Sequence, residues 1–232
     1  FAWNAVEGEG VTVHTQSGAV VRGSLLPNHA SVHVYSDVKD QKRSPDTMEV
    51  RLDARTGSAD ETRALGIQVG DFVSFDPRVE LNNGFVRSRH LDDKACVACM
   101  AAAIQALSAA GINPARGACF LISNFEEVGH GGAADIPASV EQLVAVDMAA
   151  MGEGQASDEF HATLCVKDSG GPYHNGLSNK LRALAESYAI PYKVDIYPNY
   201  GSGATAYRHA GGAPAAAPIR PGGGSSPPYE RP

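Results

Sequence analysis

The sequence predicts an α/β protein with a mostly parallel central sheet and a small β-barrel-like domain. Two observations carry this prediction. Short strand patterns bounded by turn residues fill the chain up to about residue 86, and strand and helix patterns alternate from there on. We therefore predict a β-rich domain at 1–86 and an α/β domain at 87–232.

Composition excludes several kinds of partner. Hydrophobic residues make up 43% of the 232 residues and charged residues 19%, which is ordinary for a globular protein. The net charge of -7 argues against nucleic acid, because no basic stripe is available to meet phosphates. No apolar stretch approaches the roughly 20 residues that span a bilayer, and no signal-peptide pattern is present. We therefore expect no membrane association and a cytoplasmic location.

The β-rich part contains clear turn and cap signals. Ser58 to Glu61 has the pattern of a capping box, and Gly66 is a suitable end for the helix that follows. Asn83-Gly84 separates two short apolar runs and predicts a hairpin. Five further segments have strand character: 11–14, 19–22, 32–35, 48–52 and 71–75.

The second part alternates elements as βα units do. The apolar run 118–125 is predicted to be the central strand. Helices are expected at 94–110, after Pro137 and at 178–189, and strands at 143–147, 160–167 and 193–196. The segment 211–232 holds six of the 14 prolines and predicts loop or extended chain. Both ends of the chain look as though residues are missing.

Acidic residues follow three of these segments. Glu126-Glu127 closes the central run, Asp147 closes the next strand, and Asp92-Asp93 precedes a helix. Ligands of open α/β sheets collect at the carboxyl ends of strands, and acids that are desolvated together need a compensating cation or proton. Each acid also has an ordinary explanation, as a solvated loop, a helix cap or a turn. One shared metal site explains all three acidic positions together, whereas the ordinary explanations require a separate cause for each, so we favour the shared site.

The Glu126-Glu127 pair has a specific chemical use. Adjacent residues on an extended segment point to opposite sides, so one carboxylate can bind a metal while the other faces a metal-bound water as general base. A divalent zinc or cobalt ion lowers the pKa of such a water.

Five short motifs resemble those of the tetrahedral-aminopeptidase and glutamyl-aminopeptidase family of two-metal peptidases. The resemblance covers most of the chain and depends on the order and spacing of the motifs. They are HLDDK at 90–94, NFEEVG at 124–129, VAVD at 144–147, GSGATA at 201–206 and YER at 229–231.

The resemblance implies a role for each acid. Asp92 would bridge two divalent metal ions, zinc or cobalt, and be joined to Asp93 by a cis peptide. Glu126 would be the catalytic general base that activates the metal-bridged water, while Glu127 would bind one metal and Asp147 the other. The α/β part would be a three-layer sandwich of the co-catalytic zinc peptidase type. The β-rich part would correspond to a dimerisation and assembly domain, and the protein would form a homo-oligomer, often a dodecamer built from dimers.

The sequence departs from the family pattern at several positions. A His-x-Asp motif is expected before the β-rich part, a histidine ligand near Pro227 and an aspartate at Gly203. Carboxylates without imidazole make a poor zinc site. His130 and His174 lie near the motifs, but nothing in the sequence identifies either as a ligand.

We therefore predict a metal-dependent aminopeptidase that hydrolyses N-terminal residues from short peptides. Two alternatives stay open. One is a catalytically inactive homologue that acts as an assembly or peptide-binding subunit. The other is a related two-metal carboxypeptidase or deacylase, which would anchor a substrate carboxylate, usually with arginine.

Overall fold

The computed structural model describes residues 2–212 and 214–223. Internal contacts divide the chain into two units, the first ending at Glu80 and the second beginning at Leu81. The sequence placed the boundary six residues later. No helix within the described ranges has the length and apolar character needed to cross a bilayer.

The first unit contains a four-stranded antiparallel sheet in the order β3-β2-β1-β4. Its strands are β1 (Gly10–His14), β2 (Val20–Pro27), β3 (Met48–Leu52) and β4 (Phe72–Phe75). Val11 and Val13 are buried on β1 while their neighbours are more exposed, which is the alternation of a strand with one face on a core. Among the described residues the pairing gives a sheet with β3 and β4 at its edges, and the barrel-like closure that the sequence predicted is not seen. The predicted strand 32–35 is a turn.

The N-cap predicted at Ser58 is present, and the reciprocal bond of the predicted capping box goes to Gly57 instead of Ser58. Helix α1 (Ala59–Ala64) begins after Ser58, whose hydroxyl accepts the Glu61 N–H at 3.2 Å. The Glu61 carboxylate in turn accepts the Gly57 N–H, and Gly66 follows the helix with φ of +87°. The predicted hairpin turn is also present, between β5 (Glu80–Asn82) and β6 (Phe85–Arg87).

Replacing Ser58 by Ala is expected to destabilise the protein by about 1 kcal/mol, because the Glu61 N–H loses its acceptor. Urea denaturation followed by circular dichroism measures the change. The exposed Ser36, replaced by Ala, is the matched control and should lie within about 0.5 kcal/mol of the wild type. Equal effects of the two substitutions would contradict a capping role.

The second unit is built around a mixed sheet. Strand β12 (Ala215–Gly223) lies between β7 (Gln142–Val146), to which it is parallel, and β9 (Ala162–Asp168), to which it is antiparallel. Three short or edge strands complete the sheet: β8 (Ala149–Ala150) pairs with β12, and β10 (Gly171–Pro172) and β11 (Tyr192–Tyr197) pair with β9. The α/β class is confirmed, but the sheet is mixed rather than mostly parallel.

Three helices contact this sheet: α2 (Leu91–Ala109), α3 (Asn175–Ser187) and α4 (Gly203–His209). His174 caps the start of α3, and its Nδ1 accepts the Leu177 N–H at 3.1 Å. The core of the unit consists mainly of small residues and tyrosines: Ala149, Cys165, Tyr173, Tyr197, Ala204 and Ala216. Helices α2 and α3 match the sequence prediction, and α4 was not predicted.

Two predictions for this unit are wrong. The segment 118–125 is not the central strand, because none of the described strands pairs with it, and Phe120, Leu121 and Ile122 are exposed. The central position belongs to β12, which lies in the segment that was expected to be loop or extended chain. Residues 137–140 form a turn instead of a helix.

Candidate metal centre

The chain changes direction abruptly at Asp92 and Asp93. Both lie at the start of α2 with non-helical backbone angles, and the peptide bond between them is cis, as the family resemblance implied. His90, just before them, has φ of +68°. The regular part of α2 therefore begins after Asp93, and the two carboxylates belong to the irregular turn that leads into it.

Asp147 reaches the same place from the sheet. It directly follows β7, and its backbone N–H donates to the Ile219 carbonyl of β12 at 3.3 Å. Carboxylate oxygens of Asp92, Asp93 and Asp147 all lie within 4.8 Å of one another, and the three residues are partly buried. The structure therefore brings together two acids that the sequence proposed as ligands. It adds Asp93, to which the sequence had assigned no ligand role of its own.

This acidic cluster, defined as Asp92, Asp93 and Asp147, is electrostatically unfavourable by itself. Burial raises the pKa of Asp93 to about 7, a hydrogen bond with Cys96 opposes the shift, and the charges of Asp147 and Asp92 reinforce it. The Oδ1 atom of Asp93 is buried and has no hydrogen-bond partner among the described residues. A divalent cation would satisfy this oxygen and compensate the charge, so the cluster fits an oxygen-liganded metal ion.

Glu126 and Glu127 lie in a single 3₁₀ turn, Glu126–Val128, flanked by Phe125 and Gly129 with positive φ. Both are exposed, and neither lies in the extended segment that the sequence suggested. Partial desolvation raises the pKa of each carboxyl group, and the charges of Asp92 and Asp147 raise it further. Both glutamates therefore experience the field of the acidic cluster. Their carboxylates are not part of the group within 4.8 Å, and the roles assigned to them stay predictions.

The structure adds a residue that sequence reasoning missed. Arg220 of β12 is only 3% exposed, and its Nη2 lies 3.4 Å from Oδ2 of Asp147. Its Nη1 donates to the Met148 carbonyl at 2.8 Å. The guanidinium packs over the rings of Tyr200 and Tyr197, with 4.3 and 5.2 Å to the ring centroids. The only signal in the sequence was an arginine in an apolar run, within a segment expected to be loop or extended chain.

The two histidines near the motifs have local partners. His174 caps α3, and the ring of His130 stacks on Phe125 with 5.0 Å between centroids. The expected histidine position near Pro227 lies outside the described residues.

A second buried carboxylate is fully engaged in hydrogen bonds. Asp168 accepts from the Gly170 and Ser202 N–H groups at 2.8 and 3.1 Å and from the Thr205 hydroxyl at 2.6 Å, and Tyr173 also donates to it. Burial alone would raise the pKa of Asp168, but the hydrogen bonds from Thr205, Tyr173 and the backbone lower it overall. This carboxylate stabilises the junction of β9 and α4 in its ionised form.

Comparison with known proteins identifies the family. A family profile described as "M42 glutamyl aminopeptidase" matches residues 1–220. The protein YhfE of Bacillus subtilis (strain 168), a proposed aminopeptidase, is 46% identical over 232 residues, which is 100% of this chain and 67% of that protein.

Solved structures share the fold. The TET aminopeptidase of Thaumarchaeota archaeon SCGC AB-539-E09 superposes with a TM-score of 0.82 at 17% identity, over 100% of this chain and 66% of that one. The Pyrococcus horikoshii TET1 peptidase, described as able to assemble into a tetrahedron or a large octahedral shell, gives 0.79 at 21% identity, over 98% and 67%. The chain thus spans about two thirds of the length of these relatives. It belongs to the M42 glutamyl aminopeptidase family of peptidases.

Proposed function

We propose that the protein is a metal-dependent aminopeptidase that removes N-terminal residues from short peptides. The observation that supports this most is the convergence of Asp92, Asp93 and Asp147 within 4.8 Å in a chain of the M42 family. The 46% identity to YhfE, a proposed aminopeptidase, points to the same reaction class.

The proposed residue roles follow the sequence prediction with one addition. Asp92, Asp93 and Asp147 would hold a divalent cation. Glu127, in the neighbouring 3₁₀ turn, would supply a further carboxylate ligand. Once bound, the cation supplies Lewis-acid activation of water and of the scissile carbonyl. Zinc and cobalt are the metals suggested by the resemblance, as is the count of two ions.

Glu126 is proposed as the general base. A carboxylate that takes a proton from water works best when its pKa lies closer to the working pH than that of a free glutamate. Desolvation and the charges of Asp147 and Asp92 raise the pKa of Glu126, which supports this role. After the peptide bond breaks, the same carboxyl group would pass its proton to the leaving amine.

The acidic surroundings suit a substrate with a free α-ammonium group. A carboxypeptidase or deacylase of the same general type would need an accessible cation to meet a substrate carboxylate. Arg220 lies beside the cluster, but it is 3% exposed and paired with Asp147, so a substrate carboxylate does not reach it. We therefore favour the aminopeptidase over that alternative.

Chelation tests the proposal. Treatment with EDTA is expected to remove most hydrolysis of amino-acyl anilides, and added Zn²⁺, Co²⁺ or Mn²⁺ is expected to restore it, because the cation is required for chemistry. The matching N-acetylated anilides should not be cleaved before or after metal addition.

Two outcomes would contradict the proposal. Preferential hydrolysis of N-acyl amino acids would indicate the deacylase. Absence of both bound metal and hydrolysis in the purified protein would indicate an inactive assembly or peptide-binding subunit.

Self-association is proposed by analogy with the TET peptidases. The Pyrococcus horikoshii TET1 peptidase is described as able to assemble into a tetrahedron or a large octahedral shell, and we propose that this chain also forms homo-oligomers, with a dodecamer built from dimers as the specific expectation. Native mass spectrometry distinguishes a dodecamer from smaller forms. The cytoplasmic location and the assembly role of the β-rich domain stay predictions.

A further inference from the structure

We propose that Gly132 is a positioning residue for Glu126, because its contact with Gly203 at the start of α4 fixes the place of the turn that carries the base. This turn, residues 124–131, is called the base turn below. The inference rests on the proposed function and deepens it, since it identifies what holds the general base of the proposed aminopeptidase in position.

The base turn is closed by its own backbone. The Phe125 carbonyl accepts the N–H groups of Val128 and His130, both at 3.1 Å. Gly131 brings the chain back against the start of the turn with φ of +98°, and a Cβ on this residue would overlap the Asn124 carbonyl oxygen. The turn is therefore a compact unit, and its position depends on what holds it from outside.

Gly132 directly follows the base turn and packs against Gly203. A Cβ built on Gly132 would lie 3.0 Å from the Cα atom of Gly203, which is closer than the roughly 3.5–4.0 Å at which two carbon atoms pack best. In the other direction, a Cβ on Gly203 would lie 3.5 Å from the Cα atom of Gly132, an ordinary contact. The contact therefore requires glycine at 132 but accommodates a methyl group at 203.

The start of α4 is a fixed surface for this contact. Ser202 and Ala204, on either side of Gly203, are buried, and so is Thr205. The buried Asp168 accepts the Ser202 N–H at 3.1 Å and the Thr205 hydroxyl at 2.6 Å. Both glutamates of the base turn, in contrast, are exposed. Added volume at the contact is therefore expected to displace the base turn and not α4.

A displaced base turn should slow the chemical step. Proton transfer requires the base within about 2.6–3.2 Å of the proton-bearing atom, and a misplacement of about 1 Å costs up to about a hundredfold in rate. Relieving a 3.0 Å contact to the normal packing distance needs a shift of roughly 0.5 Å. We therefore expect a loss of about tenfold when a methyl group is added at Gly132.

The substitutions Gly132→Ala and Gly203→Ala form a matched pair, because each adds one methyl group at the same contact. Hydrolysis of an amino-acyl anilide is measured at saturating Mn²⁺, since Glu127 moves with the base turn. Gly132→Ala is expected to lower kcat about tenfold with KM within about twofold of the wild type. Its midpoint of urea denaturation should stay close to that of the wild type, whereas a merely structural role would lower that midpoint. Gly203→Ala should match the wild type in all three measurements.

Hydrogen–deuterium exchange followed by mass spectrometry supplies a measurement that does not use activity. Backbone amides of the base turn are expected to exchange several-fold faster in Gly132→Ala than in the wild type, because the contact that holds the turn is displaced. Exchange in α4 should not change in this variant. Gly203→Ala should exchange like the wild type in both segments.

Wild-type kcat in folded Gly132→Ala, or an equal loss of kcat in both alanine variants, would overturn the inference and leave the proposed function intact. Gly203→Val approaches the same contact from the side of α4, and its branched side chain cannot be turned wholly away from the base turn. It is expected to lower kcat as well, so it decides the question if Gly132→Ala does not fold, and wild-type kcat in folded Gly203→Val would overturn the inference. Absence of hydrolysis in the wild type would overturn the proposed function, and this inference with it.

Discussion

Replacing Glu126 by Gln is expected to lower kcat/KM for amino-acyl anilides by about a hundred- to ten-thousand-fold. The amide has nearly the same shape but does not accept a proton from water. Because Glu126 is proposed as the base and not as a ligand, the variant should keep its bound metal. Steady-state hydrolysis and metal analysis of the same preparation measure the two properties separately.

Glu153 is an exposed glutamate of the same unit and supplies the control substitution, Glu153→Gln. It removes the same charge and should leave the rate within about twofold of the wild type, as expected for a surface position. Near-normal turnover in Glu126→Gln would show that another group is the base. Loss of metal together with activity would instead make Glu126 a ligand.

The Asp168→Asn substitution is expected to destabilise the second unit by about 3 kcal/mol at neutral pH. The carboxylate is 1% exposed and accepts from Gly170, Ser202, Thr205 and Tyr173. An asparagine amide would direct its own N–H groups toward some of these donors. Urea denaturation measures the loss, with Glu153→Gln as the control.

The loss should depend on pH with a definite sign. The pKa of Asp168 in the folded protein is below its usual 3.8. The folded protein therefore stabilises the ionised form of this carboxyl group more than the unfolded chain does. The stability difference between wild type and Asp168→Asn should therefore be fully present above about pH 5 and shrink as the pH falls through the folded pKa. A difference that grows toward low pH would contradict this account.

Local signals in the sequence predicted local structure well. The cap at Ser58, the turn at Asn83-Gly84 and the helices α2 and α3 are each determined by residues a few positions apart, and all are present. Features that depend on pairing between distant parts of the chain were harder to predict from the sequence. The run 118–125 has the composition of a buried strand, but a strand also requires a neighbour, which composition does not report.

Strand β12 shows the opposite case. Pro218 and Pro221 each remove a backbone donor, which normally excludes a residue from the middle of a sheet. Here Pro218 is opposite Ala145 of β7 and Pro221 opposite Ala162 of β9. Tertiary pairing overrides the local preference, and Arg220 was missed for the same reason.

The acidic cluster was only partly predictable. Strand-end reasoning proposed Asp92 and Asp147 as partners, and their oxygens do come together. Asp93 was not proposed as a ligand, because its participation depends on backbone angles at the cis peptide and on the burial of its side chain.

The position of β12 between β7 and β9 has a consequence for how the chain matures. The acids of the cluster are all synthesised before residue 215, yet β7 pairs only with β12 among the described strands. During synthesis on the ribosome, Asp147 is therefore expected to follow a β7 segment that has no strand partner until β12 is made. Both its backbone anchor at Ile219 and its counter-charge at Arg220 arrive with that late strand. Nascent chains arrested before residue 215 should consequently be unable to capture the metal.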